Sequence, residues 1–171
     1  AYDLVGLDEG WIRRNMTVGG LKLVQELKGI SCFAIQESLT RKKNICTARS
    51  FGRKVKSACE LKEAVSAYAN TCSEKLRVEG SCASLITVFL TTNPFDSSQP
   101  QYGGSRKIQL STPTNDSLEI VKAAIEALKQ IYKPGLIYKK AGVVVSEIVP
   151  ENQVQLSLFD GVDRRKRKCL M

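Results

Sequence analysis

A four-stranded antiparallel sheet with two helices on one of its faces, an α+β fold, is what the 171-residue sequence predicts. Three observations carry that expectation. Segments patterned as strand, helix, strand, strand, helix, strand follow one another from Ile45 to about Val149. Both helical segments open on a capping residue and carry an apolar stripe along one side. Basic residues collect on the strands and their ends, while the helices carry mixed charge.

In chain order, "DEGWIRRNMTVGGLKLVQELKG" (8–29) reads as helical, broken near Thr17 and ending at Gly29, a natural C-cap. Its apolar face (Trp11, Ile12, Leu23, Val24, Leu27) is too small to fold alone and reads as the end of a larger helical domain. "QESLTRKKN" (36–44) reads as a basic linker. "ICTARSFGRKV" is a strand by its β-branched content and alternation. A long helix follows, with Ser57 and Glu60 at capping-box spacing and Leu61, Ala64, Val65, Tyr68, Cys72 and Leu76 on one stripe. "SLITVFLTT" and "SRKIQL" are strands joined by the loop "NPFDSSQPQYGG". The second helix starts at Asp116 and Glu119, with Leu118, Val121, Ile125, Leu128 and Tyr132 as its buried stripe. "IYKKAGVVVSEIV" closes the set. Two βαβ halves in this order make the ferredoxin-like split arrangement, with one sheet face left open.

With 43% hydrophobic residues the chain can bury a proper core. Its longest apolar runs, such as "LITVFL" and "AGVVV", are too short to span a bilayer, and the first residues lack a basic-then-apolar signal, so a cytoplasmic protein with no membrane partner is expected. The six cysteines (Cys32, Cys46, Cys59, Cys72, Cys82, Cys169) lie ten or more residues apart and there is no histidine. That spacing argues against a zinc site and for reduced thiols that serve mostly as small core residues. Without histidine, every Ser-His or Cys-His nucleophile and the commonest general base are absent, so no catalytic residue and no metal ligand is assigned.

The formal charge of +9 is unevenly spread: residues 161–171 hold 5 basic and 1 acidic residue, so nearly half the excess sits in the tail. In the strand segments, Arg49, Arg53, Lys54, Lys56, Arg106, Lys107, Lys139 and Lys140 stand against one acid, Glu147. An open basic sheet face with Ser and Thr hydroxyls suits phosphates and binds without reading sequence. Beyond Pro150, "QLSLF" places Leu156, Leu158 and Phe159 among polar and basic residues. Either it is a last strand packed on the domain, or it is a linear docking peptide in which Gln155 bonds at a pocket rim and Leu158 and Phe159 fill an apolar pocket.

The segments "SFGRKV", "AVSAYANTCSEKLR", "TTNPF", "QYGGSRKIQLSTPTNDS", "YKKAGVVVSEIVP" and "QLSLFD" resemble, in order and spacing, the C-terminal part of the UmuC branch of the Y-family translesion DNA polymerases, over about Asp8 to Asp160. The resemblance implies that residues 1–35 end a thumb, 36–44 are a basic tether, 45–149 are a little finger that grips template-primer DNA by its backbone, and 150–171 are a tail with a sliding-clamp-binding motif. It implies DNA contacts by Arg41, Lys42, Lys43, Arg49, Ser50, Arg53, Arg106, Lys107, Lys139 and Lys140, and clamp contacts by Gln155, Leu156, Leu158 and Phe159. A UmuD-type accessory subunit is a further implied partner. The polymerase's role would lie in DNA repair and SOS mutagenesis, near the bacterial nucleoid. Magnesium would belong to the palm, whose carboxylates this stretch does not carry, so no cofactor and no polymerisation are expected of it. An RNA-binding module of the RRM type is the alternative, since it shares the element order; only Phe51 and Phe89 could serve it as stacking aromatics.

Overall fold

The computed structural model describes residues 1–34 and 41–155, in two compact units, Ala1–Arg41 and Lys42–Met171. The expected motif at Leu156, Leu158 and Phe159 and the tail 161–171 lie outside the described residues, as do residues 36–40 of the expected tether.

In the first unit, a short helix α1 (Tyr2–Val5) precedes α2 (Glu9–Leu27). Asp8 caps α2, its carboxylate accepting the Trp11 amide at 2.9 Å. The expected break is at Thr17, whose φ of 59° and ψ of −168° interrupt the helix. Just after it, a Cβ at Gly20 would stand 2.3 Å from the Met16 Cβ, so this turn closes only on glycine. Gly29, at φ 85°, ends the helix as expected: its amide donates to Glu26 and that of Ile30 to Gln25, both at 2.9 Å, the paired bonds of a Schellman motif. Ile12 and Val24 are buried, whereas Trp11, Leu23 and Leu27 of the expected apolar face are nearly half exposed.

The second unit runs β1 (Asn44–Val55), α3 (Ala58–Val78), β2 (Ser81–Thr92), β3 (Gly103–Thr114), α4 (Ser117–Ile131), β4 (Tyr138–Pro150) and a 3₁₀ turn (Glu151–Gln153). All neighbouring strands are antiparallel, in the order β1-β4-β2-β3. Each βαβ crossover therefore straddles one strand: β1-α3-β2 passes over β4, and β3-α4-β4 over β2. Both helices lie on the same face and pack on each other. Their shared core takes Ile86, Val88 and Leu90 from β2, Ala141, Val143 and Val145 from β4, Leu61, Val65, Cys72 and Leu76 from α3, and Ile120, Ala124, Ala127 and Ile131 from α4. Fully burying each large aliphatic side chain is worth about 1.5–3 kcal/mol.

Three expectations change in detail. Ser57 caps α3 through the Cys59 amide, but Glu60 does not complete a capping box; its carboxylate takes Arg53 Nη2 at 2.8 Å instead. In α4 the buried side is Ile120, Ala123, Ala124, Ala127, Leu128 and Ile131, and Leu118 is 70% exposed. The helix carries two overlapping apolar stripes, and packing selects the one whose alanines let α4 approach α3 and the sheet closely. Among the described cysteines only Cys72 and Cys82 are buried; Cys46 and Cys59 are exposed and Cys32 is in between, so the thiols are not mostly core. Burial pushes the Cys72 thiol up from its ordinary value.

One end of the sheet is locked by tyrosines. Tyr138, fully buried at the start of β4, accepts the Lys133 amide at 2.8 Å and donates to the Lys133 carbonyl at 3.1 Å. Tyr102 packs edge-on against it at 6.3 Å and donates to the Ile131 carbonyl at 2.7 Å. A Cβ at Gly104 would fall 2.3 Å from the Tyr102 hydroxyl, so "YGG" lets the ring fold back over its own strand.

The α4 face yields a direct comparison. Ile120→Ala should destabilise the chain by about 2–4 kcal/mol in urea melts, whereas Leu118→Ala should stay within about 0.5 kcal/mol. Equal losses at both positions would refute this packing.

Candidate nucleic-acid interface

Strand alternation sorts each side chain onto one of two faces. Because Ile86, Val88 and Leu90 point into the helices, their neighbours Leu85, Thr87, Phe89 and Thr91 lie on the open face. The register extends each of these into a row across the sheet. One row is Ser50, Lys140, Thr91 and Gly103; the next is Ala48, Gly142, Phe89 and Ser105; then come Cys46, Val144, Thr87 and Lys107, and finally Asn44, Ser146, Leu85 and Gln109. The open face thus combines two lysines with hydroxyls from Ser50, Thr87, Thr91, Ser105 and Ser146, the last of which donates to the Leu85 carbonyl at 3.5 Å. Lys107 and Lys140 are two strands and two rows apart, roughly 16 Å by standard strand spacing and rise.

Of the residues expected to touch DNA, the structure brings Ser50, Lys107 and Lys140 together on this face. Arg49 and Arg106 fall on the other one: Arg49 shares a row with Ala141 and Leu90, and Arg106 with Val88 and Val143, all buried under the helices. Both arginines stay exposed because β1 and β3 are edge strands. Arg53 lies within the register shift of β1, between Ser50 and Val55, and is paired with Glu60 at the start of α3. Lys139 sits where the register of β4 slips against both neighbours, and its Nζ donates to the Phe51 carbonyl at 3.0 Å. Arg41, Lys42 and Lys43 are exposed ahead of β1, and Lys42 pairs with Glu79 at the end of α3. Gln155 is exposed. Sequence reasoning passed over Thr87, Thr91, Ser105 and Gly142; counting alternate residues from the apolar positions of β2 and β4 would have found all but Ser105, which lies on β3.

Glu147, the one acid of the strand set, is held in place. It has a φ of 53°, in the left-handed region that a side chain rarely adopts. Its carboxylate accepts the Ser84 hydroxyl at 2.6 Å and the Gln109 amide at 2.9 Å. These two bonds, with a smaller contribution from the Lys107 charge, hold it below the usual glutamate range. The aromatics divide as well: Phe51 packs against the core, while Phe89 lies on the open face with Lys140 Nζ 5.9 Å from its ring centre. Among the described residues, no helix is long and apolar enough to cross a membrane, and no three His, Cys, Asp or Glu side chains group so as to hold a metal ion.

Residues 42–158 match the family model described as the impB/mucB/samB family C-terminal domain. The chain is 38% identical over 160 residues to Protein UmuC of Salmonella typhimurium (strain LT2), an alignment that covers 94% of this chain and 38% of that protein. It is 36% identical over 167 residues to Protein SamB of Salmonella typhimurium, covering 98% and 39%. It is 35% identical over 158 residues to Protein MucB of Escherichia coli, covering 92% and 37%. The chain spans about two fifths of the length of the curated relatives it matches.

The held carboxylate of Glu147 has a consequence in acid. A pKa depressed by folding contributes stability above the unfolded value, and that contribution is lost as pH falls through the folded value. Glu147→Gln should therefore flatten the acid side of the stability profile, measured as urea midpoints from neutral pH downward. An unchanged acid slope would mean that the Ser84 and Gln109 bonds do not favour the ionised form.

Proposed function

Since the chain belongs to the impB/mucB/samB family, through that family's C-terminal domain, we propose that it is the DNA-gripping region of an error-prone translesion DNA polymerase acting in repair and SOS mutagenesis. The observation that carries this reading is the one-sided sheet, whose uncovered face presents Lys107, Lys140 and five hydroxyls and holds its nearby acid, Glu147, in bonds of its own. Residues 45–149 are the little finger. The phosphate backbone of template-primer DNA lies on the open face, held by the two lysines and by hydroxyls from Ser50, Thr87, Thr91 and Ser105. Arg49 and Arg106 add charge from the edge strands, Lys139 and Arg53 from the end of the sheet, and Arg41, Lys42 and Lys43 from the tether. Contacts of this kind fix position and supply affinity but carry no sequence information.

Residues 1–35 end the thumb, in keeping with the open apolar side chains of Trp11, Leu23 and Leu27. Phosphoryl transfer and its magnesium ions belong to a palm outside this chain, which itself does not polymerise. The segment from Gln155 to Phe159 docks on a sliding clamp, and that second attachment raises the local concentration of a domain that holds DNA weakly. A UmuD-type subunit is the accessory partner, and the setting is the bacterial cytoplasm at the nucleoid. The RRM alternative needs more than one stacking aromatic on the sheet, and Phe51 is packed against the core.

Fluorescence anisotropy of the 171-residue chain with primer-template duplexes of different sequence, at two salt concentrations, tests the DNA reading. Affinity should fall steeply with salt, and Lys107→Glu with Lys140→Glu should cost at least about tenfold for every sequence. A flat salt response, or a loss confined to one sequence, would overturn backbone recognition. In a pull-down on the purified clamp, Leu158→Ala with Phe159→Ala should abolish capture while duplex affinity stays as it was; undiminished capture would remove the docking role from "QLSLF".

A further inference from the structure

Because α4 packs through its alanines, its second apolar stripe stays at the surface: Leu118 is 70% exposed, and Val121 and Ile125 are half-buried. These three fall at i, i+3 and i+7, about 10 Å along one side of the helix. The stripe runs into a groove of about 270 Å³ between the last turns of α4 and the first turn of α3, lined by Ala58, Ile125, Leu128 and Tyr132. Tyr132 ties its two sides together, its hydroxyl donating at 3.0 Å to the carbonyl of Lys56, in the link between β1 and α3. Lys62 and Lys129 line the same groove, and since its surface is almost wholly apolar they do so with their methylene stems. No carboxylate is among the lining side chains, and neither lysine has an acidic partner among the described residues. Lys122, four residues after Leu118 and three before Ile125, lies exposed beside the stripe.

We propose that this groove and stripe dock an acidic amphipathic helix of a partner protein, as an interaction surface on the helix side of the domain, off the open face of the sheet. The volume suits side chains better than a free ligand: it falls just short of the about 300–1,000 Å³ of small-molecule sites, and the stripe prolongs it in one direction along α4. Leucine-sized side chains at helical spacing fill the groove and cover the stripe, the helix-in-groove mode of recognition. Charge selects the partner. Lys62 borders the apolar track from α3, and Lys122 and Lys129 border it from α4, so carboxylates flanking those leucines meet opposite charge on both sides. Glu119 and Glu126 lie further round α4, beyond the lysines. The same charge turns away the chain's own tail, whose residues 161–171 hold 5 basic and 1 acidic residue. A second copy docked through the same surface would set lysines against lysines. A nucleic-acid backbone has the right charge but no apolar side chain to put in the groove.

The test is fluorescence anisotropy of the 171-residue chain with a labelled synthetic helical peptide that carries leucines at i, i+3 and i+7 and glutamates beside them. Saturable binding is expected, and it should be at least about fivefold weaker for the same peptide with glutamines in place of the glutamates. Lys62→Glu with Lys129→Glu, both at exposed positions, should weaken the glutamate peptide at least about tenfold. Ile125→Ser should weaken it at least about fivefold, with a urea melt to separate lost docking from lost fold; should that variant unfold, the lysine pair decides alone. No binding of the glutamate peptide, equal affinity for both peptides, or an affinity unchanged in the lysine variant would overturn the proposal. Displacement of the peptide by excess DNA duplex would do the same by making the surface a polyanion site, and displacement by a peptide of residues 156–171 would give the groove to the tail. A concentration-dependent dimer that Ile125→Ser dissolves would give it to a second copy of the chain.

Discussion

Two helices can cover only one face of a four-stranded sheet, and the second unit is organised around that limit. The crossovers β1-α3-β2 and β3-α4-β4 send both helices to the same side, where they pack on each other. The central strands β2 and β4 then lose one face entirely to the core and keep the other open. Along β2 this gives a strict alternation, with Ile86, Val88 and Leu90 buried and Leu85, Thr87, Phe89 and Thr91 half-buried. A chain with helices on both faces would need apolar residues at all of these positions. Here the same alternation that makes the core also makes the polar surface.

Such an arrangement is only as good as its register, because slipping a strand by one residue exchanges its two faces. β4 is the exposed case: "YKKAG" sets two lysines side by side, and only one of them can face outward. Tyr138 settles which one. Its buried ring and its two hydrogen bonds to Lys133 pin the first residue of β4, and the pairing then slips at Lys139 against both neighbours. Lys140 enters the ladder opposite Ser50 and Thr91, on the open face. Lys139 turns to the Phe51 carbonyl. The tyrosines at this end, which do not touch the open face, thereby decide its charge.

Much of this architecture was legible in the sequence because local chemistry fixes it. Ser57 and Asp116 start their helices where side-chain caps belong, and Gly29 ends α2 with the positive φ that glycine tolerates. The face of α4 was not legible, since Leu118, Val121 and Ile125 make as good a stripe by spacing as Ile120, Ala124 and Ala127; the choice lies in how closely α4 approaches α3. Nor was the face of each arginine. Counting basic residues per strand shows that β1 and β3 are basic, but parity against the buried residues decides that Arg49 and Arg106 lie on the helix-side rows. The strand order, which puts β4 between β1 and β2, depends on contacts distant in sequence and leaves no local mark.

Position off the open face does not remove an arginine from the reach of a polyanion. Arg53 is paired with Glu60, but its side chain keeps 78% of its surface and that of Glu60 37%. Exposed pairs of this kind are worth about 0–1 kcal/mol, because solvent screens them and ordering two long side chains offsets the gain. Exchanging Glu60 for a phosphate thus costs little, and releasing condensed counterions from the nucleic acid favours the exchange. Glu147 differs in kind: a serine and a glutamine already satisfy its carboxylate, so it makes no claim on Lys107 beyond a weak through-space attraction. The cations of this domain are held loosely and its strand acid firmly, which is the distribution that leaves positive charge free to move to an incoming backbone.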